Sequence, residues 1–186
     1  MRTTTGKKLT AQLIHELGQK AAAAPRKRIN YNFHESLDDP VQRLIVVMKK
    51  GTYIRPHRHV EENKWEFALA LQGRMQVILL NDDGSLRERV VLASGGQTIG
   101  LEIPPEVWHT CLALEENAAF FECKCGPYHP EKTNVFAPWS PSEGDPRVAE
   151  YSQWLARAKV SERFTPVIRG GCLRVPGRRS GSRGVL

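Results

Sequence analysis

"WEFALALQGRMQVILLNDDGSLRERVVLA" (residues 65–93) contains three short apolar runs rich in Val, Ile and Leu, broken at Gly73 and at "NDDG" (81–84). The second break is a strong hairpin signal. The pattern continues on both sides: "RLIVVMK" (43–49) and "TYIRPHRH" (52–59) come before, and "QTIGLEIP" (97–104), "WHTCLALE" (108–115) and "AAFFECKC" (118–125) come after. Eight strands at spacings near ten residues predict a mostly β protein, a sandwich or a small antiparallel β-barrel. No helix-length amphipathic segment interrupts them, which argues against a parallel α/β sheet.

The flanks read differently. Residues 10–23 predict a helix, with Thr10 as its cap and Leu9 packed back on Ile14. Leu13, Ile14, Leu17 and Ala21 line one face, and Pro25 ends it. A second helix is expected from Asp145 as N-cap and Pro146 as first helical residue, with Val148, Tyr151, Leu155 and Ala158 as its apolar stripe. The chain thus divides into an N-terminal helical extension (1–27), the β unit with a covering segment (28–143), a C-terminal helix (144–162) and a basic tail (163–186).

Nearly all of the formal net charge of +7 sits on that tail, where six arginines stand without an acid; the remainder holds 21 Lys+Arg against 20 Asp+Glu. A nucleic-acid-binding domain carries its charge on a folded face, and the Gly/Arg/Ser-rich tail lacks the aromatic interleaving of single-strand binders. The tail reads as a solvated, mobile extension. No run of 18 apolar residues exists to span a membrane, and the first twenty residues lack a signal-peptide core, so the expected location is cytoplasmic. Cys111, Cys123, Cys125 and Cys172 form no CxxC pair and read as reduced thiols. Cys123 and Cys125 share a strand face, where packed, inert thiols are the preferred reading over zinc ligation.

The chemistry concentrates in "PHRHVEENKWE" (56–66). Side chains alternate across a strand, so His57 and His59 share a face, about 7 Å apart along the chain. Such a pair can grip one ion if a carboxylate and a further ligand join it. Glu66 opens the next strand and is the preferred carboxylate, with Glu61 and Glu62 as competitors. His109 is the one other histidine that begins an apolar strand, just after a Pro-Pro turn.

These stretches resemble the cupin superfamily. "GTYIRPHRHVEENKWEFALALQG" (51–73) is similar to the first cupin motif and "IPPEVWH" (103–109) to the second. The resemblance implies a double-stranded β-helix in which His57, His59, Glu66 and His109 hold one metal ion. Six residues separate His59 from Glu66, where the usual motif has three or four, and Glu106 and Ala113 replace the expected glycine and asparagine. The longer gap adds two residues, which keeps side-chain parity. Over residues 28–143, "RINYNFHESLDDPVQRLIVVMKKGTYIRPHRH", "KWE", "IPPEVWHT" and "FECKCGPYHPEKTNVFAPWSPSEG" resemble the WbuC-type cupin metalloproteins. That likeness implies a link to bacterial surface polysaccharide synthesis and leaves the reaction open. Cupins commonly dimerise, so a homodimer is a further expectation.

Around the ligands, Tyr53 and Arg55 share the parity of His57 and are expected to face inward. Arg55 in a barrel needs an acid or a ligand anion; Glu102 and Glu122 are its candidate partners. Lys64, His34 and Tyr128 complete the candidate substrate-binding set. A site of three histidines and a glutamate suits one divalent ion, Fe, Mn or Ni ahead of Zn. It predicts a small-molecule enzyme acting on a sugar, nucleotide sugar or related polar metabolite by isomerisation, epimerisation or oxygenation. The alternatives are a non-catalytic sugar-binding module with a structural metal, and a metal-free sugar epimerase built on a His–Asp dyad.

Overall fold

The computed structural model describes residues 6–61, 64–129 and 133–166. Cys172 and most of the basic tail lie outside them, as does Glu62. Helix α1 (Ala11–Ala23) leads into ten strands: β1 (Arg28–Asn32), β2 (Val41–Lys49), β3 (His57–His59), β4 (Glu66–Gln72), β5 (Arg74–Leu80), β6 (Leu86–Ala93), β7 (Gly100–Ile103), β8 (Trp108–Ala113), β9 (Asn117–Cys125) and β10 (Asn134–Phe136). Helix α2 (Val148–Arg157) follows. All eight expected apolar runs contribute strands; β1 and β10 are additions.

The strands form two antiparallel five-stranded sheets, β1-β2-β9-β4-β7 and β10-β3-β8-β5-β6. The chain crosses repeatedly between them, giving a jelly-roll arrangement of two facing sheets rather than one continuously bonded barrel. Alternation on β2 shows how the layers are built. Leu44, Val46 and Met48 point into the space between the sheets with Met75, Val77, Leu79, Leu92, Ile103 and Phe120. Ile45 and Val47 point outward and pack under Leu17 and Ala21 of α1. On the far side, Ile78, Leu80, Trp108 and Leu112 meet Tyr151, Trp154 and Leu155 of α2. Each sheet therefore carries a helix on its outer face. Each fully buried large apolar side chain contributes about 1.5–3 kcal/mol.

Local signals explain the boundaries. Thr10 accepts from Leu13 N through its hydroxyl at 3.1 Å and caps α1 as expected. The "NDDG" turn joins β5 to β6, with Gly84 at φ +81° and its N–H on the Asn81 carbonyl. The start of α2 differs from expectation. Asp145 accepts from Arg147 N at 2.8 Å and pairs with the Arg147 guanidinium, so its carboxylate closes a turn ahead of the helix. The N-cap is Arg147, without a side-chain hydrogen bond. No helix among the described residues is long and apolar enough to cross a membrane.

Candidate metal centre

The site is built across the two sheets. His57 on β3 lies directly opposite His109 on β8, and His59 follows on the same face. Their ring centroids are 4.4 Å (57–109), 5.4 Å (57–59) and 5.4 Å (59–109) apart. One ligand atom from each lies within 4.8 Å of the others. From the facing sheet, Glu66 opens β4 and reaches the cluster through His59, with Oε2 3.1 Å from Nε2. His59, His109 and Glu66 are buried, and His57 is half-buried.

Backbone carbonyls orient all three rings. Nδ1 of His57 lies 3.0 Å from Arg55 O, that of His59 3.2 Å from Thr133 O, and that of His109 2.8 Å from Val107 O. A carbonyl can only accept, so each Nδ1 carries a proton, and in the neutral ring each Nε2 presents a lone pair. This is the arrangement that metal-ligating histidines adopt. Two further observations are consistent with a cation. Nε2 of His109 is buried and has no hydrogen-bond partner among the described residues. Nε2 of His59 lies 3.1 Å from the Glu66 carboxylate, a contact bridged either by a ring proton or by a cation held between the two. The donor set therefore fits a divalent ion.

Electrostatics agree. Burial, then the charge of His109, drives the His57 pKa well below the usual histidine value, and burial likewise lowers that of His109. Both rings are thus kept neutral, the form that ligates. Burial alone would raise the Glu66 carboxyl, but the charge of Lys124 and then the adjoining His59 ring hold it well below the usual carboxylate range. Lys124 is the residue that the sequence reading missed. It sits on β9 opposite Glu66, with Nζ 2.5 Å from Glu122 Oε1 and 3.7 Å from Glu66 Oε2. Burial would lower its pKa, but the two carboxylates raise it. Burial, then the negative charge of Glu66, raises the Glu122 carboxyl. The alternation in "FECKC" (121–125) was the available signal, since Glu122 and Lys124 share the inward parity of Phe120.

A cavity of about 270 Å³ opens onto this centre, lined among others by His57, Glu66, His109, Glu122, Lys124 and Tyr128. His34 also lines it. Its Nδ1 lies 3.0 Å from both the N–H and the carbonyl oxygen of Arg43, so either tautomer finds a main-chain partner there. Its Nε2 is buried and has no hydrogen-bond partner among the described residues. Tyr128 accepts at its hydroxyl from Asn134 and lies under the Lys124 ammonium.

Other candidates sit elsewhere. Tyr53 is buried beneath α2, donating to Pro141 O at 2.7 Å and packing edge-on against Tyr151. Regular strand begins only at His57, so the parity counted back through Pro56 does not hold at Tyr53. Lys64 is buried and donates to Pro127 O at 2.6 Å and Cys125 O at 3.3 Å, fastening the turn after β9. Its place there is structural, and it does not line the cavity. Glu102 is exposed on β7, opposite Phe67. Arg55 does line the cavity, yet neither Glu102 nor Glu122 pairs with it. Exposed Glu61 pairs with Lys64 at 3.5 Å, away from the histidines. Cys111 lines the cavity as a buried thiol, its pKa pushed well up by burial and then by Glu66, and no cysteine among the described residues joins the cluster.

A family model described as "Domain of unknown function (DUF6016)" matches residues 9–92, a span that includes His57, His59 and Glu66 and stops before His109. No curated protein matches the sequence. Among solved structures, KdgF from Halomonas sp. is similar at 19% identity and TM-score 0.44, over 58% of this chain and 84% of that one. An oxalate oxidase in complex with the substrate analogue glycolate is similar at 17% identity and TM-score 0.48, over 73% and 68%. A cupin superfamily protein from Desulfitobacterium hafniense DCB-2 is similar at 13% identity and TM-score 0.42, over 53% and 76%.

Proposed function

We propose that this chain is a metal-binding cupin of WbuC type, with residues 28–143 as the functional unit, and that it is a small-molecule enzyme. His57, His59 and His109 would hold one divalent cation with Glu66 beside them. The observation that carries the reading is the convergence of three imidazoles whose Nδ1 atoms are all tied to carbonyls, leaving three Nε2 lone pairs within one cluster. Three imidazoles and a carboxylate suit Fe, Mn or Ni, with Zn also compatible. Such an ion supplies polarisation of a bound carbonyl or hydroxyl, or a water of lowered pKa.

The chain's own groups define the rest. The cavity of about 270 Å³ lies just under the range of roughly 300–1,000 Å³ typical of ligand pockets. It accommodates a sugar-sized or smaller polar metabolite, and a nucleotide sugar would keep its nucleotide outside. The polar lining of His34, Glu122, Lys124 and Tyr128 suits hydroxyl-rich ligands. The resemblance of residues 28–143 supports a role in surface polysaccharide synthesis, the habit of cupins supports a homodimer, and the proposal places both in the cytoplasm.

Elemental analysis tests the centre. After incubation with Fe(II), Mn(II), Ni(II) or Zn(II) and desalting, the protein should retain near-stoichiometric metal, and a His57→Ala/His59→Ala variant should retain almost none. Equal retention by the variant, or none by the native protein, removes the metal reading. Screening the loaded protein against sugars and sugar nucleotides then separates an enzyme from a binding module: tight binding without conversion favours the module.

A further inference from the structure

We infer that the cavity selects a small carboxylic acid and that Arg55 is the residue that reads its carboxylate. The inference deepens the small-molecule reading above and rests on it for the placement of the acid next to the metal centre. Arg26 and Arg28 are both met by Glu143, Arg26 Nε at 2.9 Å from Oε2 and Arg28 Nη2 at 2.5 Å from Oε1. Lys124 is met by Glu122 and Glu66. The cation left over on the wall is Arg55.

Arg55 is held but not neutralised. Its Nε donates to Ser140 Oγ at 3.2 Å, and its Nη2 to Ala137 O at 3.1 Å and Ser140 O at 3.4 Å. The Phe136 ring lies 5.2 Å from its guanidinium carbon. All of these partners are uncharged, and among the described residues no carboxylate lies within 4.0 Å and nothing accepts from Nη1. A half-buried guanidinium anchored on one edge and open on the other is a prepared anion receptor. It is also tied to the metal centre, because the carbonyl of Arg55 accepts the Nδ1–H of His57.

The surrounding balance points the same way. Four cations (Arg26, Arg28, Arg55, Lys124) face three acids (Glu66, Glu122, Glu143) around the cavity. The surplus of one positive charge grows once a divalent ion binds. A phosphate dianion calls for several donors, whereas the single open edge of Arg55 matches a carboxylate. Another buried polar atom on the wall, His34 Nε2, has no partner among the described residues, and a ligand hydroxyl, which can both donate and accept, would satisfy it in either tautomer. The ligand class is therefore a small hydroxy acid.

Matched pairs test this by calorimetric titration of the full chain, both metal-loaded and chelated. Gluconate is compared with sorbitol and lactate with 1,2-propanediol, each pair differing by a carboxylate against a CH₂OH group. Inorganic phosphate is the third probe. At least one acid should bind ten-fold or more tightly than its alcohol, and Arg55→Gln should erase the difference while bound metal and the circular dichroism spectrum stay at native levels. Should Arg55→Gln not fold, Arg55→Lys keeps the charge but loses the fork, and it should weaken the acid several-fold. No acid preference in either pair, undiminished acid binding in the folded variant, or phosphate binding tighter than both acids overturns the inference. Absence of metal from native protein would overturn the metal centre instead, while Arg55-dependent acid binding in the chelated protein would still stand.

Discussion

Replacing Lys124 with Met probes the electrostatic frame of the site. The ammonium lies 2.5 Å from Glu122 Oε1 and 3.7 Å from Glu66 Oε2, and all three residues are at least four-fifths buried at their side chains. Methionine matches the length of the lysine stem and removes only the charge. In chelated protein the change leaves two carboxylates facing each other in a poorly solvated space. Breaking a buried ion pair by deleting one partner costs about 3–5 kcal/mol. At about 2–4 °C per kcal/mol for a chain of this size, Tm should fall by roughly 6–20 °C. Neutralising Glu122 as well, in Lys124→Met/Glu122→Gln, removes one of the stranded charges and should recover more than about 1 kcal/mol of that loss. Urea melts of the native, single and double variants, all chelated, measure both quantities. A Lys124→Met protein within 1 kcal/mol of native, or a double variant less stable than the single, would refute the argument that Lys124 compensates the two acids.

Acidification gives a second test. His57 and His109 have folded pKa values depressed by burial, so the unfolded chain takes up protons first once pH falls below about 6.5. Chelated protein should lose stability progressively from pH 7 toward the lower folded values, whereas Glu122, raised by burial, acts in the opposite sense around its own folded value. A urea midpoint that rises between pH 7 and 5.5 would contradict the burial of neutral rings. Tyr151, on the inner face of α2, offers a third test: its buried hydroxyl has no hydrogen-bond partner among the described residues, so Tyr151→Phe should stabilise the protein by about 1 kcal/mol. A thermal melt showing a clear loss instead would reveal a hydrogen bond from that hydroxyl.

What the sequence made legible was the part encoded by periodicity. The eight apolar runs, the "NDDG" turn and the Thr10 cap all carry their signal within a few residues, and the structure uses each of them. The two histidines of "PHRH" share a face as their spacing implied, and the distant His109 joins them as the resemblance to the cupin motifs implied. Errors arose where alternation was carried beyond a strand's end. Residues 52–56 are not strand, so Tyr53 turned outward to Pro141. Lys64 precedes the first residue of β4 and turns to the carbonyls after β9. The strands β1 and β10 were missed because "RINYN" is half polar and "NVF" is three residues long, and each is defined by its neighbour's register. Lys124 was hidden for a different reason: a lysine on a strand ordinarily reaches solvent, and only the pairing of Glu66 with Lys124 across β4 and β9 makes it a counter-ion.

The hydrogen bonds that aim the three imidazoles all end on main-chain oxygens, of Arg55, Thr133 and Val107. Substituting the side chains of those residues leaves the acceptors in place. Grip on an ion and choice of what comes to it are therefore under separate genetic control: the wall facing the hollow can be rewritten during divergence or by protein engineers, one residue at a time, while the anchoring of the rings persists.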